Sequence, residues 1–385
     1  MNRNISKLSA ISSNFLGCFL TGLFVSVFLF TGCSNISSKY LQYSKTIDLK
    51  GCNPLIMEDN FLLCYKETIF SDSDAQTATS DIEYYTVDIY SEEWSSIGIL
   101  TDVITTSGDI LLAPDGNVYF TYQTIDHPVS LYKLNLKSKE INLVYESTSS
   151  LPFQFLSVLD KNNLVLFEPD RENTSYTYRV IIYNLLTESA SVILERNTGI
   201  NEEGAEQISS AFAYDRKIYC LMHKIGGDYR VDVIDTAGTL ERSISIDSNK
   251  LREVTTIDKT EYGIWRIYVS NGIIWFQTLA DKIVPFSVST GALCGEILQG
   301  YIINFNLSNP NQANTLFFRT QKPEITLFVN TNEKLESYNL SIEKDGSPVS
   351  VDYAFLSNSK NRIVIIPQNS DGNILDGNIL LYELK

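Results

Sequence analysis

The chain has 385 residues, and 46 acidic against 30 basic side chains give it a formal net charge of −16. Nucleic-acid binding and adsorption to anionic lipid both depend on Lys and Arg facing phosphate, so this balance argues against either as the principal function. A hydrophobic fraction of 44% is ample for a core, and 22 Tyr with 19 Phe suit β-strands.

The first 32 residues read as a targeting signal. Arg3 and Lys7 form a positive head, Phe15–Phe30 is a mostly apolar run without charge, and Thr31-Gly32 supplies a small-residue cleavage site before Cys33. An uncleaved anchor is the alternative, although the apolar run falls short of the roughly 20 residues of a spanning helix. Leu29-Phe30-Thr31-Gly32-Cys33 resembles the bacterial lipobox, in which a small pair precedes a cysteine. That resemblance implies a diacylglyceryl group on the Cys33 sulfur, cleavage before it, and an extracytoplasmic chain held at a bacterial membrane by lipid. Residues 33–42 are polar without apolar periodicity and read as a flexible tether, leaving 43–385 as one domain.

From there the chain repeats one pattern, plainest in Asp109–Tyr145. Ile110–Ala113, Val118–Gln123, Leu131–Leu136 and Ile141–Tyr145 are four short apolar runs. They are parted by the turn Pro114–Asn117, the loop Thr124–Pro128 and the turn Lys137–Glu140. Gly, Asn and Asp supply the positive φ that such antiparallel connections need. Seven units follow from their first turns: Glu58–Asn60, Pro114–Asn117, Asp160–Asn163, Asp215–Lys217, Ser270–Gly272, Ser308–Asn314 and Ser357–Asn361. Their spacing of about 50 residues suits propeller blades. Fourth runs include Ser189–Leu194, Leu240–Ser245 and Leu335–Leu340.

The last unit has a third run, Ile379–Leu384, and no fourth, whereas Lys45–Leu49 is an alternating strand with no unit of its own. Pairing these two closes a ring and removes open sheet edges. The expectation is an all-β propeller of seven four-stranded blades, closed by an N-terminal strand joining the last blade. A string of β-sandwiches would leave both observations unexplained. Leu251–Trp265 could hold one helical turn, but β-branched Val254, Thr255, Thr256 and Ile257 favour strand or loop. The tandem DGNIL at Asp371–Leu375 and Asp376–Leu380 reads as a duplicated hairpin loop. Its Asp371, Asn373 and Asp376 lack the closing Glu of a calcium loop. Cys52, Cys64, Cys220 and Cys294 lack metal-ligand spacing, and Cys52 and Cys64 would sit diagonally across their hairpin, so free thiols are expected.

In a propeller the second-to-third and fourth-to-first connections share a face. Here that face collects Thr68–Asp81, Thr124–Pro128, Glu168–Thr177, His223–Asp228, Ala280–Lys282, Gln321–Glu324 and Gln368–Gly377, with the long links Glu195–Gln207 and Ile246–Trp265. Long loops on a rigid scaffold tend to carry binding. The ligand-face candidates are Asp126, His127, Asp170, Tyr176, His223, Asp228, Tyr262 and Trp265. Large aromatics anchor interfaces, or else cap the ends of blades. Carboxylates among these loops could serve a hydrolase or lyase, and His127 with His223 could bind a metal, although they lie two units apart. No nucleophile–base pair, metal cluster or cofactor motif is readable, so no catalytic residue, metal or cofactor is assigned. Sialidase boxes, Trp-Asp repeats, paired kelch glycines and regular docking tryptophans are all missing. The chain therefore resembles bacterial β-propeller lipoproteins as a group, on the lipobox residues and the generic blades. The resemblance implies a lipid-anchored binding or scaffold module for a surface protein, peptide or glycan. A surface enzyme acting on glycan or peptide through loop carboxylates stands as the alternative.

Overall fold

The turns explain the sheets. Asp215 and Arg216 have φ of 49° and 59°, and Asn271 and Gly272 of 48° and 78°. Two consecutive positive-φ residues make the tight turn whose twist matches that of the strands it joins. The structure is a computed structural model. It describes residues 41–384 apart from 59, 71–77, 106–108, 150–154, 172–174, 200–203, 225–227, 258–259, 262, 305–314, 320–323, 332–333, 358–361 and 369–376. The signal, Cys33, Tyr262 and the DGNIL repeat lie largely or wholly outside it.

Each unit folds as an antiparallel sheet with its strands in chain order. The first is Asn53–Met57, Phe61–Phe70, Thr79–Asp88 and Trp94–Thr105, and the second Ile110–Leu112, Val118–Thr124, Ser130–Asn135 and Glu140–Glu146. The third is Phe155–Asp160, Asn163–Arg171, Ser175–Asn184 and Ser189–Gly199, and the fourth Glu206–Tyr214, Lys217–Lys224, Tyr229–Ile234 and Leu240–Ser245. The fifth is Ile264–Ser270, Ile273–Thr278, Lys282–Ser287 and Leu298–Gln299, and the sixth Tyr301–Asn304, Thr315–Arg319, Glu324–Thr331 and Lys334–Ser341. The last holds Ser350–Leu356, Arg362–Gln368 and Asn378–Leu384, and Leu41–Asp48 adds its outer strand. The closing register is Thr46 opposite Leu380 and Ile47 opposite Ile379, as the orphan runs require.

Packing follows the ring. Among the described residues, alternate side chains on neighbouring sheets meet in apolar clusters between successive units. Tyr84 and Leu63 of the first unit pack with Phe120 and Leu134 of the second. Tyr119 and Leu131 pack with Leu164 and Tyr183 of the third, Phe167 and Val180 with Cys220 and Ile218 of the fourth, and Phe212 and Val231 with Trp275 and Phe276 of the fifth. Leu340 and Ile342 pack with Ile363 and Leu380 of the last unit. Val364 and Leu381 of that unit, with Ile47, then pack against Leu62, Cys64 and Val87 of the first. That contact returns the stack to its start, and the chain is a β-propeller. First strands also touch through side chains: Ala213 N donates to Ser157 Oγ at 3.1 Å and Ile267 N to Ser210 Oγ at 3.2 Å. On the outside, turns press on the preceding unit. A Cβ at Gly238 would sit 2.0 Å from the Ile193 carbonyl oxygen, and one at Gly291 would sit 1.9 Å from that of Ser245, so only glycine fits at either turn.

Several expectations need correction. Ser248–Thr255 is an α-helix, not strand or loop. Asp247 starts it, its Oδ1 accepting from Lys250 N at 3.1 Å, and Leu251 is fully buried beneath it. Capping and one apolar anchor outweigh the β-branched residues, which fall at its C-terminal end. Leu41 and Gln42, expected in the tether, begin the closing strand. Glu195–Gly199 and Glu168–Arg171, expected in loops, extend the third unit's strands. The fourth strand of the first unit runs on into the second, Val103 pairing with Thr124, so these two sheets are continuous. Cys64 faces Pro54 and leaves Cys52 diagonal, and all four thiols are free. Burial pushes the Cys220 thiol up to about 12.

Candidate functional site

The loop-bearing face is where the first strands begin and where the second and third strands meet. Its polar candidates are already engaged. Glu168 is fully buried, and its carboxylate accepts from Arg179 Nη1 at 2.9 Å and from the Tyr145 hydroxyl at 3.1 Å. Arg179 also reaches Glu195 at 2.8 Å and Asp170 at 3.7 Å. One guanidinium thus bridges three carboxylates contributed by adjacent strands of one sheet. Burial, then the charge of Glu168, pushes the Tyr145 hydroxyl far up and keeps it a donor.

The fourth unit repeats the device. Arg230 donates to both oxygens of Glu206, and its Nε and Nη2 donate to Asp232 at 2.9 and 3.0 Å. The hydrogen bonds from Arg230 hold the Glu206 carboxyl below the ordinary carboxylate range. A depressed folded value stabilises the fold above the unfolded pKa, and that contribution is lost as pH falls through the folded value. Glu206→Gln is therefore expected to lower the urea midpoint at neutral pH, with the gap between wild type and variant closing as pH falls from the ordinary Glu range, about 4.3, through the lowered folded value. An unchanged gap across that range would contradict the assignment.

The other candidates do not converge. Asp126 is exposed, and His127 meets Glu146 of its own unit at 3.2 Å. His223 stacks on Tyr229 with ring centroids 4.3 Å apart, and Asp228 meets Arg252 of the helix at 3.4 Å. Tyr176 lies half-buried over Tyr178, 6.0 Å between centroids, with the Arg171 guanidinium 5.7 Å above it, so it caps its blade. Among the described residues no three His, Cys, Asp or Glu side chains come close enough to share a metal. Lys224, Asp228, Tyr229, Arg230 and Asp247 line a shallow cleft of about 420 Å³ beside the helix.

Trp265 behaves differently. It sits at a bulge at the start of the fifth unit's first strand and is 58% exposed. Leu279, at the end of the facing strand, is equally bare, its amide bonded to Gly263 O at 2.9 Å. Ile125 of the second unit and Ile69 and Phe70 of the first are exposed at the same end of their sheets. Ile69, Phe70 and Ile125 fall in stretches read as loops of this face, and Leu279 follows an apolar strand run, so only the structure shows them as exposed apolar side chains.

The sequence also gave no hint of the pair beneath this face. Asp109 precedes the second unit's first strand and Arg266 lies in that of the fifth, yet their carboxylate and guanidinium meet in two bonds of 2.5 Å. Asp109 further accepts from Leu156 N of the third unit at 2.8 Å. The Arg266 guanidinium lies between the rings of Phe155 and Tyr268, 4.6 and 4.7 Å from their centroids. Burial would depress it, but the Asp109 charge and Tyr268 prevail and hold it above its ordinary value. Among the described residues its Nε has no hydrogen-bond partner. First strands line the axis of a propeller, so this pair is a strut across the opening. A charged residue within Ile264–Ser270, otherwise a mostly apolar run, is the one signal that could have flagged it.

No protein-family profile matches the chain and no curated protein is similar to it in sequence. Among solved structures it is similar to a chain of a mitotic checkpoint complex, with a TM-score of 0.49 and 8% identity over 89% of this chain and 96% of that one. It is also similar to BamB from Moraxella catarrhalis, with a TM-score of 0.44 and 11% identity over 89% of this chain and 99% of the other.

Proposed function

We propose that the protein is a non-catalytic binding module, held at the outer side of a bacterial membrane by lipid on Cys33, that engages a protein partner on its loop-bearing face. The reading takes the ring as seven blades, one per unit. The observation that carries it is the division of that face. Glu168, Asp170, Glu195, Glu206 and Asp232 are tied to Arg179 and Arg230, whereas Trp265, Leu279 and Ile125 stand bare. Exposed aromatic and aliphatic side chains on a rigid support are what protein interfaces use as anchors, and an interface gains from desolvating them. A hydrolase would need carboxylates free to exchange protons with substrate.

Trp265→Ala combined with Leu279→Ser is expected to abolish co-purification of the partner at unchanged thermal stability, and Asp170→Asn to leave it intact. Turnover of a glycan or peptide that requires Asp170 or His223 would favour the enzyme instead. The anchor has its own check. Cys33→Ala is expected to leave the chain unprocessed or free of membranes and to abolish fatty-acid labelling, and equal labelling of variant and wild type would contradict it.

A further inference from the structure

Among the described residues, the second strand overhangs the first on the loop-bearing face in three units, leaving an inner edge that no described residue of the unit pairs. Two overhangs are covered. Gln123 and Thr124 of the second unit are taken up by Val103 and Thr105, the end of the preceding unit's fourth strand. In the third unit Pro169 lies in the overhang, and Ser149 Oγ donates to its carbonyl oxygen. Proline and covering segments are standard protections of a strand edge.

The first unit's overhang has neither. Its first strand pairs with the second only as far as Tyr65, opposite Asn53, while the second continues through Lys66–Phe70 against Thr79–Glu83. The strand that would cover it by the second unit's pattern is the closing strand, and that ends at Asp48 and turns at Lys50 and Gly51. All five residues are exposed, Ile69 and Phe70 among them, and no described strand pairs on that side. The edge is about 17 Å long. Among the described residues nearby charge is mostly negative: Glu67 on the strand, Asp81 and Glu83 opposite it, and Asp102, whose amide bonds Asp81 at 3.3 Å, against Lys66 on the strand and Lys50 at the turn.

We infer that Lys66–Phe70 receives an extended segment of the partner as an added β-strand, one bearing Lys or Arg between apolar residues. This rests on the binding reading above and names the element of the partner that docks. Main-chain bonds to the bare edge supply the attachment, Ile69 meets the apolar side chains on one face of the added strand, and on the other face, which carries Phe70, the carboxylates of Asp81 and Glu83 select the charge. A second copy of this strongly acidic chain is disfavoured by the same charges.

The probe is a synthetic peptide, Lys-Val-Lys-Val-Thr-Val-Lys, added to the full chain, with amide hydrogen exchange followed residue by residue. At saturation, exchange within Lys66–Phe70 is expected to slow at least tenfold. The same peptide with alternate residues replaced by Pro, or with Glu for Lys, is expected to leave it unchanged. Glu67→Lys with Asp81→Lys is expected to reverse the preference between the Lys and Glu peptides. No slowing with millimolar peptide, or equal slowing by the Pro peptide, overturns the inference. If Trp265→Ala still abolishes partner capture while Lys66–Phe70 never responds, the binding face stands and strand addition falls.

Discussion

Removal of residues 41–50 is expected to cost the protein its fold. The strand Leu41–Asp48 supplies the outer edge of the last sheet, and Leu41, Ile47 and Leu49 are buried in the clusters on either side of it. Fully burying such side chains is worth about 1.5–3 kcal/mol each, and each ladder hydrogen bond adds about 1 kcal/mol net. The sum approaches the entire stability of an ordinary domain, about 5–15 kcal/mol. Deletion also bares Asn378–Leu384, a hydrophobic edge of the kind that aggregates. The expected result is loss of the cooperative unfolding transition and recovery in the insoluble fraction. Removal of residues 34–40 alone is expected to leave the midpoint unchanged. A soluble, cooperatively unfolding chain lacking 41–50 would show that the ring does not depend on its closing strand.

Arg266→Met is the next largest effect expected. The substitution roughly keeps side-chain volume but leaves the Asp109 carboxylate, only 12% exposed, without its cation. Breaking one partner of a buried pair costs about 3–5 kcal/mol, because the remaining charge is still desolvated. The loss of guanidinium stacking on Phe155 and Tyr268 adds to this. Asp109→Asn in the same chain is expected to restore most of the loss, since the amide oxygen can still accept from Leu156 N while the stranded charge is gone. Urea unfolding of the two single variants and the double variant gives the coupling directly. Additive losses would mean that the strut does not join the second and fifth units.

The sheets were legible because they rest on local chemistry. First turns such as Asp215–Lys217 and Ser270–Gly272 lie where their Asn, Asp and Gly place them, and the closing pair Ile47–Ile379 followed from two strands without partners. What escaped depends on tertiary context. Ser248–Thr255 is helical because Asp247 caps it and Leu251 finds a core, and only the cap can be seen locally. Phe70, in a stretch read as loop, ends a strand whose neighbour pairs only as far as Tyr65 and leaves it exposed. Asp109 and Arg266 lie 157 positions apart, and only closure of the ring brings them together. Of the candidates chosen for chemistry, Asp170 and Asp228 prove to be held by arginines of neighbouring strand and helix, while Trp265 keeps the exposure an anchor requires.

The central claim is that this face, and not the opposite one, meets a partner. The most direct measurement places a photo-crosslinking residue at Trp265 and, in a separate chain, at Leu186, which is 73% exposed in a turn at the other end of the sheets. After illumination in the cells that make the protein, the account predicts one dominant adduct from position 265 and none from 186. Adducts from 186 alone, or from neither position, would contradict it.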